Sequence, residues 1–182
     1  MFICSGNLDL FPEMYDLAEP FVRLFERFKL KRFDLKGTKE IIEKPISIEK
    51  INIQVKEEII KKIYEITEGH PYFITAIMHD VVKEIKEEEV NINRFNNIYP
   101  KITEHLASMR FQDDYNKATP TEREVLVKIA ETNKKEFSPS DIKVKSVNKI
   151  LERLTEKNLL IKISRGTYKL YHSLFKEYLL NL

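Results

Sequence analysis

The stretch Thr67-Glu68-Gly69-His70-Pro71-Tyr72 joins two segments whose apolar residues recur at helical spacing. These are Ile59, Ile60, Ile63 and Ile66 before the stretch, and Phe73, Ile74, Ile77, Val81 and Ile85 after it. Gly69 suits the left-handed conformation that ends a helix, and Pro71 suits the first position of the next one. We therefore predict two helices that turn sharply against each other at residues 67–72, which we call the corner. An ordinary helix-turn-helix connection has the same pattern.

The composition is that of a folded chain. It has 182 residues, 42% hydrophobic and 33% charged, enough for one large domain or two small ones. No apolar run approaches the roughly 20 residues that span a bilayer, so no membrane partner is expected. The N-terminus lacks the pattern of a secretion signal. The single cysteine, Cys4, excludes an internal disulfide, and we expect a cytoplasmic protein.

Positive charge is concentrated towards the C-terminus. Residues 115–182 carry a net charge of +6 and the rest of the chain −4, within a total of +2. Such asymmetry predicts an anionic partner for the C-terminal part. A solvated surface rich in Lys and Glu explains it equally well, and the sequence leaves both explanations open.

The helical pattern extends over residues 34–118 as a small bundle. Either Asp34 or Thr38 is expected to cap its first helix. That helix is predicted to end near Lys44, because Pro45 disfavours helical geometry in the residue before it.

Two strands are expected before this bundle, and a long helical region after the corner. Phe2-Ile3-Cys4 has the pattern of a buried strand, and residues 27–33 alternate as a second one. Residues 92–117 are predicted to be helical and interrupted or kinked at Pro100. The last part of this region, residues 111–118, has the pattern of a linker.

A new domain is predicted to begin at Thr119-Pro120-Thr121-Glu122. Thr119 can cap a helix, Pro120 suits its first turn, and Glu122 completes a capping box. Ser138-Pro139-Ser140-Asp141 repeats this chemistry and predicts a short second helix.

A third helix, a hairpin and a closing helix are predicted for the remaining residues. Apolar spacing predicts a third helix, and two strands are expected to flank Ser164-Arg165-Gly166, where Gly166 supplies a positive φ. Three helices followed by a hairpin is the order of a winged helix, and residues 173–180 add a closing helix. The apolar residues of the third helix are Val147, Ile150, Leu151 and Leu154.

The residues for nucleotide hydrolysis by the usual machinery are not found in this sequence. A phosphate-binding loop needs clustered glycines and a lysine, whereas the four glycines here are widely separated. No catalytic residue is therefore expected. No metal site is expected either, since His70 and His79 are nine residues apart and would lie on opposite faces of a helix. The glycines are Gly6, Gly37, Gly69 and Gly166.

Four segments, in this order, resemble the C-terminal portion of archaeal ATPases of the STAND branch of AAA+ proteins, relatives of the origin-recognition initiators. Phe2-Ile3-Cys4-Ser5-Gly6-Asn7 is similar to the last inner strand of the nucleotide-binding core, and residues 19–33 to the segment with an arginine near the γ-phosphate. Gly69-His70-Pro71 is similar to the G-x-P signature of the helical lid, and residues 170–179 to the end of the winged helix.

This resemblance implies a mainly α protein. Residues 1–33 would be a remnant of the α/β P-loop core, residues 34–118 a helical lid domain, and residues 119–182 a winged helix-turn-helix domain. Both nucleotide-binding motifs of the family are missing, so we expect a truncated product or a fragment whose partner is the ATPase core or another protein chain. ATP or ADP with Mg²⁺ is expected only in a complete parent protein, and no cofactor for this chain alone.

The resemblance also implies residues that respond to nucleotide. Gly69, His70 and Pro71 would face adenine and ribose when a complete ATPase domain is present. Asn7 or Ser5 would be a polar sensor, and either Arg23 or Arg27 would lie near the γ-phosphate. The expected nucleotide-binding residues are Asn7, Arg23, Arg27, Gly69, His70 and Pro71.

A winged helix also suggests binding to double-stranded DNA. Its third helix would enter the major groove, and its hairpin would contact phosphates. The candidate DNA-binding residues are Lys145, Lys149, Arg153, Arg165 and Lys169. Glu152 and Glu156, on the same helix, oppose this function. The sequence thus leaves three hypotheses: a regulatory part of an ATPase, a DNA-binding module and a protein-interaction module.

Overall fold

This computed structural model describes Pro20, Arg23, Leu24, residues 31–85 and residues 89–182. Its contacts divide the chain into two compact units, Met1–Lys31 and Arg32–Leu182. The strand predicted at residues 2–4, and most of the one predicted at residues 27–33, lie outside the described residues.

The second unit is mainly helical, as the sequence predicts. Its α-helices are α1 (Leu35–Ile48), α2 (Glu57–Thr67), α3 (Pro71–Glu84), α4 (Ile92–Leu106), α5 (Gln112–Asn116), α6 (Pro120–Glu131), α7 (Val147–Glu156) and α8 (Ser173–Leu180). A π-helical turn covers Ala107–Phe111, and a 3-10 turn covers Pro139–Asp141. The strands are β1 (Gln54–Val55), β2 (Glu89–Val90), β3 (Leu160–Ser164) and β4 (Thr167–Leu170). None of the helices within the described residues is both long enough and apolar enough to cross a membrane.

Helix α1 begins as predicted and ends later than predicted. The Asp34 carboxylate caps it by accepting a hydrogen bond from the Gly37 N–H at 2.7 Å, whereas Thr38 is buried inside the first turn. The predicted end near Lys44 is wrong, because α1 continues through Pro45. Ile42, which is 1% exposed, anchors this helix in the core, and such packing outweighs the local preference of proline.

The region after β2 is continuously helical up to residue 116. It passes through Pro100 without interruption and contains the π-helical turn, so the linker predicted at residues 111–118 is wrong for residues 111–116. Phe111 and Asp114 are each 2% exposed. These two buried side chains hold the segment in the core although most of its other residues are polar.

The strands form two small sheets. Strand β1 pairs with β2 in parallel, and β3 pairs with β4 antiparallel. Phe137 bridges the other side of β4 at Tyr168. The predicted hairpin is confirmed, and Gly166 occupies its turn with φ of +77°.

Local start signals at residues 119 and 138 have different outcomes. The Thr119 N–H donates to the Glu122 carboxylate at 2.8 Å, and the Glu122 N–H donates to the Thr119 hydroxyl at 3.4 Å, so this capping box is confirmed. Ser138 and Asp141 form a second capping box, but it opens only the 3-10 turn rather than the short helix that was predicted.

One cluster of buried apolar side chains runs through the helices of this unit. The apolar faces predicted on both sides of the corner contribute to it, from Ile59 on α2 to Ile85 after α3. The Phe111 ring lies 5.6 Å from the Phe73 ring and 5.8 Å from the Phe175 ring, measured between centroids. Helices α3 and α8 and the π-helical turn therefore share a core directly beneath the corner.

Candidate functional site

The corner is a tight turn with two successive left-handed residues. Glu68 has φ of +49° and Gly69 has φ of +70°. The Phe33 N–H donates to the Gly69 carbonyl at 2.8 Å. A Cβ atom on Gly69 would lie 2.0 Å from the Phe33 carbonyl oxygen. Glycine is therefore required here for its conformation and for the close approach of another backbone segment.

His70 lies at the start of α3, and one of its ring nitrogens forms no hydrogen bond with the described residues. It is the N-cap residue, and Pro71 takes the first helical position as predicted. The His70 Nδ1 atom is buried and has no hydrogen-bond partner among the described residues. Burial lowers the pKa of His70, and the nearby Arg32 and Arg110 cations lower it further. The imidazole is therefore neutral at pH 7.

Aromatic rings surround this imidazole. The His70 ring centroid lies 4.9 Å from that of Phe73 and 6.0 Å from that of His172. Tyr72, the next aromatic residue along α3, is 39% exposed. The corner thus combines a neutral imidazole with one buried and one exposed aromatic ring.

Arg32 connects the corner to the residue that precedes His172. Its Nη1 atom donates to the Glu68 carboxylate, and its Nη2 atom donates to the Tyr171 carbonyl at 3.0 Å. The Arg32 and Glu68 side chains are 33% and 29% exposed. This arginine was not among the predicted site residues, although it lies nearer the corner in sequence than Arg23 or Arg27.

His172 contacts the corner from the other end of the chain and is 1% exposed. Its Nδ1 atom accepts from the Leu174 N–H at 3.1 Å, and its Nε2 atom lies 2.9 Å from the Thr67 carbonyl oxygen. Because Nδ1 accepts, the ring proton belongs on Nε2, which donates to Thr67. Burial lowers the pKa of His172 to about 4, so this ring is also neutral at pH 7.

A buried carboxylate holds the other end of Tyr171. Asp114 accepts from the Tyr171 hydroxyl at 2.7 Å and also pairs with Arg110 at 3.0 Å and Lys117 at 2.5 Å. The pKa of Tyr171 is raised well above its usual range, mainly because the side chain is buried and also because its hydroxyl donates to Asp114. Tyr171 is thus fixed at its carbonyl by Arg32 and at its hydroxyl by Asp114.

The candidate DNA-binding cations lie on α7, on the hairpin and in the loop before α7. Lys145, Lys149, Arg153 and Arg165 are exposed, and Lys169 is half-buried. Within the described part of the chain, these five side chains form no ion pair.

The same surfaces also carry acidic and apolar residues. Glu152 and Glu156 are exposed on α7. Ile161 and Ile163 on β3 are 37% and 44% exposed. The surface is therefore mixed in character rather than uniformly basic.

The other residues predicted to respond to nucleotide lie near the N-terminus, at positions 5, 7, 23 and 27. Asn7, its alternative Ser5 and Arg27 lie outside the described residues. Arg23 is exposed in a turn. Their roles stay predictions.

An open groove of about 520 Å³ lies along α6, away from these contacts. Its lining includes Tyr115, Arg123 and Glu131, and none of the corner residues. The Arg123 guanidinium lies 4.8 Å from the Tyr115 ring centroid and donates to the Tyr115 carbonyl at 3.1 Å. The groove is therefore a separate feature from the corner.

No protein-family model and no curated protein matches this sequence. Among solved structures, the chain is similar to a Walker-type ATPase of Pyrococcus abyssi, with a TM-score of 0.65 and 16% sequence identity. The match covers 93% of this chain and 49% of that one, so the chain spans about half the length of that ATPase. The chain therefore has a fold related to part of an archaeal ATPase.

Proposed function

We propose that this chain is the helical lid and winged-helix part of a STAND-type AAA+ ATPase, and that its corner responds to bound nucleotide. In this proposal residues 34–118 are the lid, residues 119–182 are the winged helix, and hydrolysis takes place on a separate nucleotide-binding core. The fold similarity to about half of a Walker-type ATPase supports this assignment.

The observation that carries the proposal is the buried Nδ1 atom of His70, for which no residue that the structure describes supplies a hydrogen-bond partner. An unsatisfied buried polar group typically costs about 1 to 3 kcal/mol, so its retention at a tight corner favours a role in binding. His70 is the middle residue of the G-x-P pattern, between Gly69 and Pro71.

The chemistry of the corner suits the neutral parts of a nucleotide. The uncharged imidazole of His70 can exchange a hydrogen bond with an adenine nitrogen or a ribose hydroxyl. The exposed ring of Tyr72 offers a face for stacking. Phosphates and Mg²⁺ would be held by the core, so ATP or ADP binds only when the core is present.

The test is reconstitution with a nucleotide-binding core supplied as a second chain, such as one encoded beside this sequence. Binding of a fluorescent ATP analogue is measured by anisotropy for each chain alone and for the mixture. We expect the mixture to bind more tightly than the core alone, and His70→Ala to weaken binding by about tenfold, the effect of losing one hydrogen bond in a desolvated site.

The matched control is His79→Ala, which removes an exposed histidine from the same helix. This variant should bind the analogue as the unmodified chain does. The proposal is wrong if the mixture binds no better than the core alone, or if the His70 and His79 variants have equal affinities.

Binding to double-stranded DNA is the second candidate, because α7, its preceding loop and the hairpin expose cations without anionic partners within the described part of the chain. If DNA binds there, the logarithm of the binding constant should fall with the logarithm of salt concentration, at about −0.9 per phosphate contacted.

Charge reversal tests this candidate. Lys149→Glu and Arg165→Glu should weaken DNA binding and reduce the salt slope, whereas Lys61→Glu, on the exposed side of α2, should have little effect. Equal affinities for all three variants would exclude specific use of this surface in DNA binding.

A further inference from the structure

The end of helix α2 is completed by residues that are distant in sequence. The last carbonyl groups of a helix have no partner within the helix. Besides the His70 N–H, His172 Nε2 donates to the Thr67 carbonyl at 2.9 Å, and the Ser173 hydroxyl donates to the Ile66 carbonyl at 3.4 Å. His172 and Ser173 both stand at the beginning of α8. The start of α8 therefore caps the helix that leads into the corner.

His172 performs two tasks with one ring. Its Nδ1 atom caps α8 by accepting from the Leu174 N–H, while its Nε2 atom holds the Thr67 carbonyl. Ser, Thr, Asp and Asn are the residues preferred for capping alone, and their side chains are shorter than histidine. The second nitrogen of the imidazole provides the additional reach.

Arg32 makes a second connection beside the first. Its guanidinium joins the Glu68 carboxylate in the corner to the carbonyl of Tyr171, the residue that precedes His172. Since Tyr171 is also fixed by Asp114, its carbonyl is a firm attachment point. The two connections hold consecutive corner residues, Thr67 and Glu68, to consecutive residues before α8.

We infer that Arg32 and His172 are positioning residues that lock the corner to the start of α8. A displacement of the corner would therefore displace the start of α8, and the reverse. The lock is a property of this chain alone. It rests on the proposed function only for the identity of the signal, a nucleotide bound at the corner, which would thereby reach α8 and the hairpin before it.

Two substitutions of His172 separate its two tasks. In His172→Asn, the side-chain oxygen can replace Nδ1 as the cap of α8 but is too short to reach Thr67. In His172→Gln, the longer amide can reach Thr67 but no longer holds the oxygen at the capping position. A residue needed only for packing would show no such division.

Native-state hydrogen exchange measured by NMR reads out each task. The corner reporters are the N–H groups of His70 and Phe33, which bond to the Thr67 and Gly69 carbonyls, and the α8 reporter is the Leu174 N–H. For His172→Asn we expect about tenfold faster exchange at the corner and little change at Leu174. For His172→Gln the larger change should be at Leu174.

Arg32→Gln should also accelerate exchange at the corner, and the N–H of Leu126 in the core of α6 serves as the internal reference. His79→Asn is the matched control and should change none of the four rates. If the His172 variants do not fold, Ser173→Ala, which removes an exposed hydroxyl, takes their place and should accelerate exchange at the corner more than at Leu126.

Unchanged corner exchange in His172→Asn and Arg32→Gln would overturn the inference. An equal acceleration at all reporters, including Leu126, would also overturn it, because it would reveal only a general loss of stability. No nucleotide is present in this experiment, so its outcome is independent of the test of ATP binding.

Discussion

The Phe33 N–H donates to the Gly69 carbonyl at 2.8 Å, and the Phe33 carbonyl lies where a side chain on Gly69 would begin. We therefore predict that Gly69→Ala is strongly destabilising. The substituted alanine must adopt a φ of +70°, and its Cβ atom must also displace the Phe33 backbone. Together these effects should lower the free energy of unfolding by about 3 kcal/mol or more, measured by urea denaturation.

Gly166 is the matched control for this substitution. It has a similar φ of +77°, but a Cβ atom there would meet no atom of the described residues within 4 Å. Gly166→Ala should therefore cost only the conformational part, about 1 kcal/mol. Equal losses for the two variants would show that the contact with Phe33 is unimportant.

The buried His172 predicts a loss of stability at acid pH. Its pKa is lowered by burial to about 4 in the folded protein, from 6.5 as the usual value. The unfolded chain therefore binds the proton first as pH falls. The contribution of the neutral His172 ring to the free energy of unfolding is therefore complete above pH 6.5, and it is lost progressively as the pH falls to about 4. The full difference corresponds to roughly 3 kcal/mol.

Neighbouring groups act in the same direction. Burial and the Arg32 cation lower the pKa of His70. Burial opposes a lowered pKa at Glu68, but attraction to the His172 ring once it is protonated, and to the Arg32 cation, outweighs this effect. Urea midpoints at pH 7 and pH 4.5 should thus differ less for His172→Asn than for the unmodified chain. His79→Asn should retain the full difference, and an unchanged difference in His172→Asn would contradict this origin.

The capping box at the start of α6 depends on a buried carboxylate. Glu122 is 2% exposed, and besides the Thr119 N–H it accepts from the Lys157 ammonium at 2.7 Å. Burial alone would raise the pKa of Glu122, but these hydrogen bonds hold it below its usual range. Glu122→Ala should lower the free energy of unfolding by about 2 kcal/mol, because it removes both the cap and the ion pair.

Two further variants identify the cause of that loss. Glu122→Gln keeps the bond to the Thr119 N–H and loses only the charge, so its effect should be smaller than that of Glu122→Ala. Glu124→Ala, at an exposed position of the same helix, should change the free energy of unfolding by less than about 0.5 kcal/mol. Equal effects of Glu122→Gln and Glu122→Ala would assign the stability to the charge alone.

The sequence predicted the parts of this fold that depend on neighbouring residues. The corner, the Thr119 capping box and the Gly166 turn follow from signals within a few positions, because caps and turns are local interactions. The errors at Pro45 and residues 111–116 have a different cause. There, burial of Ile42, Phe111 and Asp114 against distant elements outweighs local preferences, and a local pattern does not contain that information.

The connections around the corner were not predicted for the same reason. Arg32 and Tyr171 are 139 residues apart in sequence, and Thr67 and His172 are 105 apart. Side-chain contacts over such separations leave no periodic signal. The only available clue was that Tyr171 and His172 precede an apolar closing helix, where a polar residue is expected to cap.

Tyr171 provides the last prediction, because its hydroxyl donates to the buried Asp114 carboxylate. Tyr171→Phe removes that donor but leaves Arg110 and Lys117 paired with Asp114. The free energy of unfolding should therefore fall by about 1.5 kcal/mol, the effect of losing one hydrogen bond to a charged group. Tyr72→Phe, at a position that is 39% exposed, should have no measurable effect. A loss no larger than that of Tyr72→Phe would mean that Arg110 and Lys117 alone satisfy Asp114.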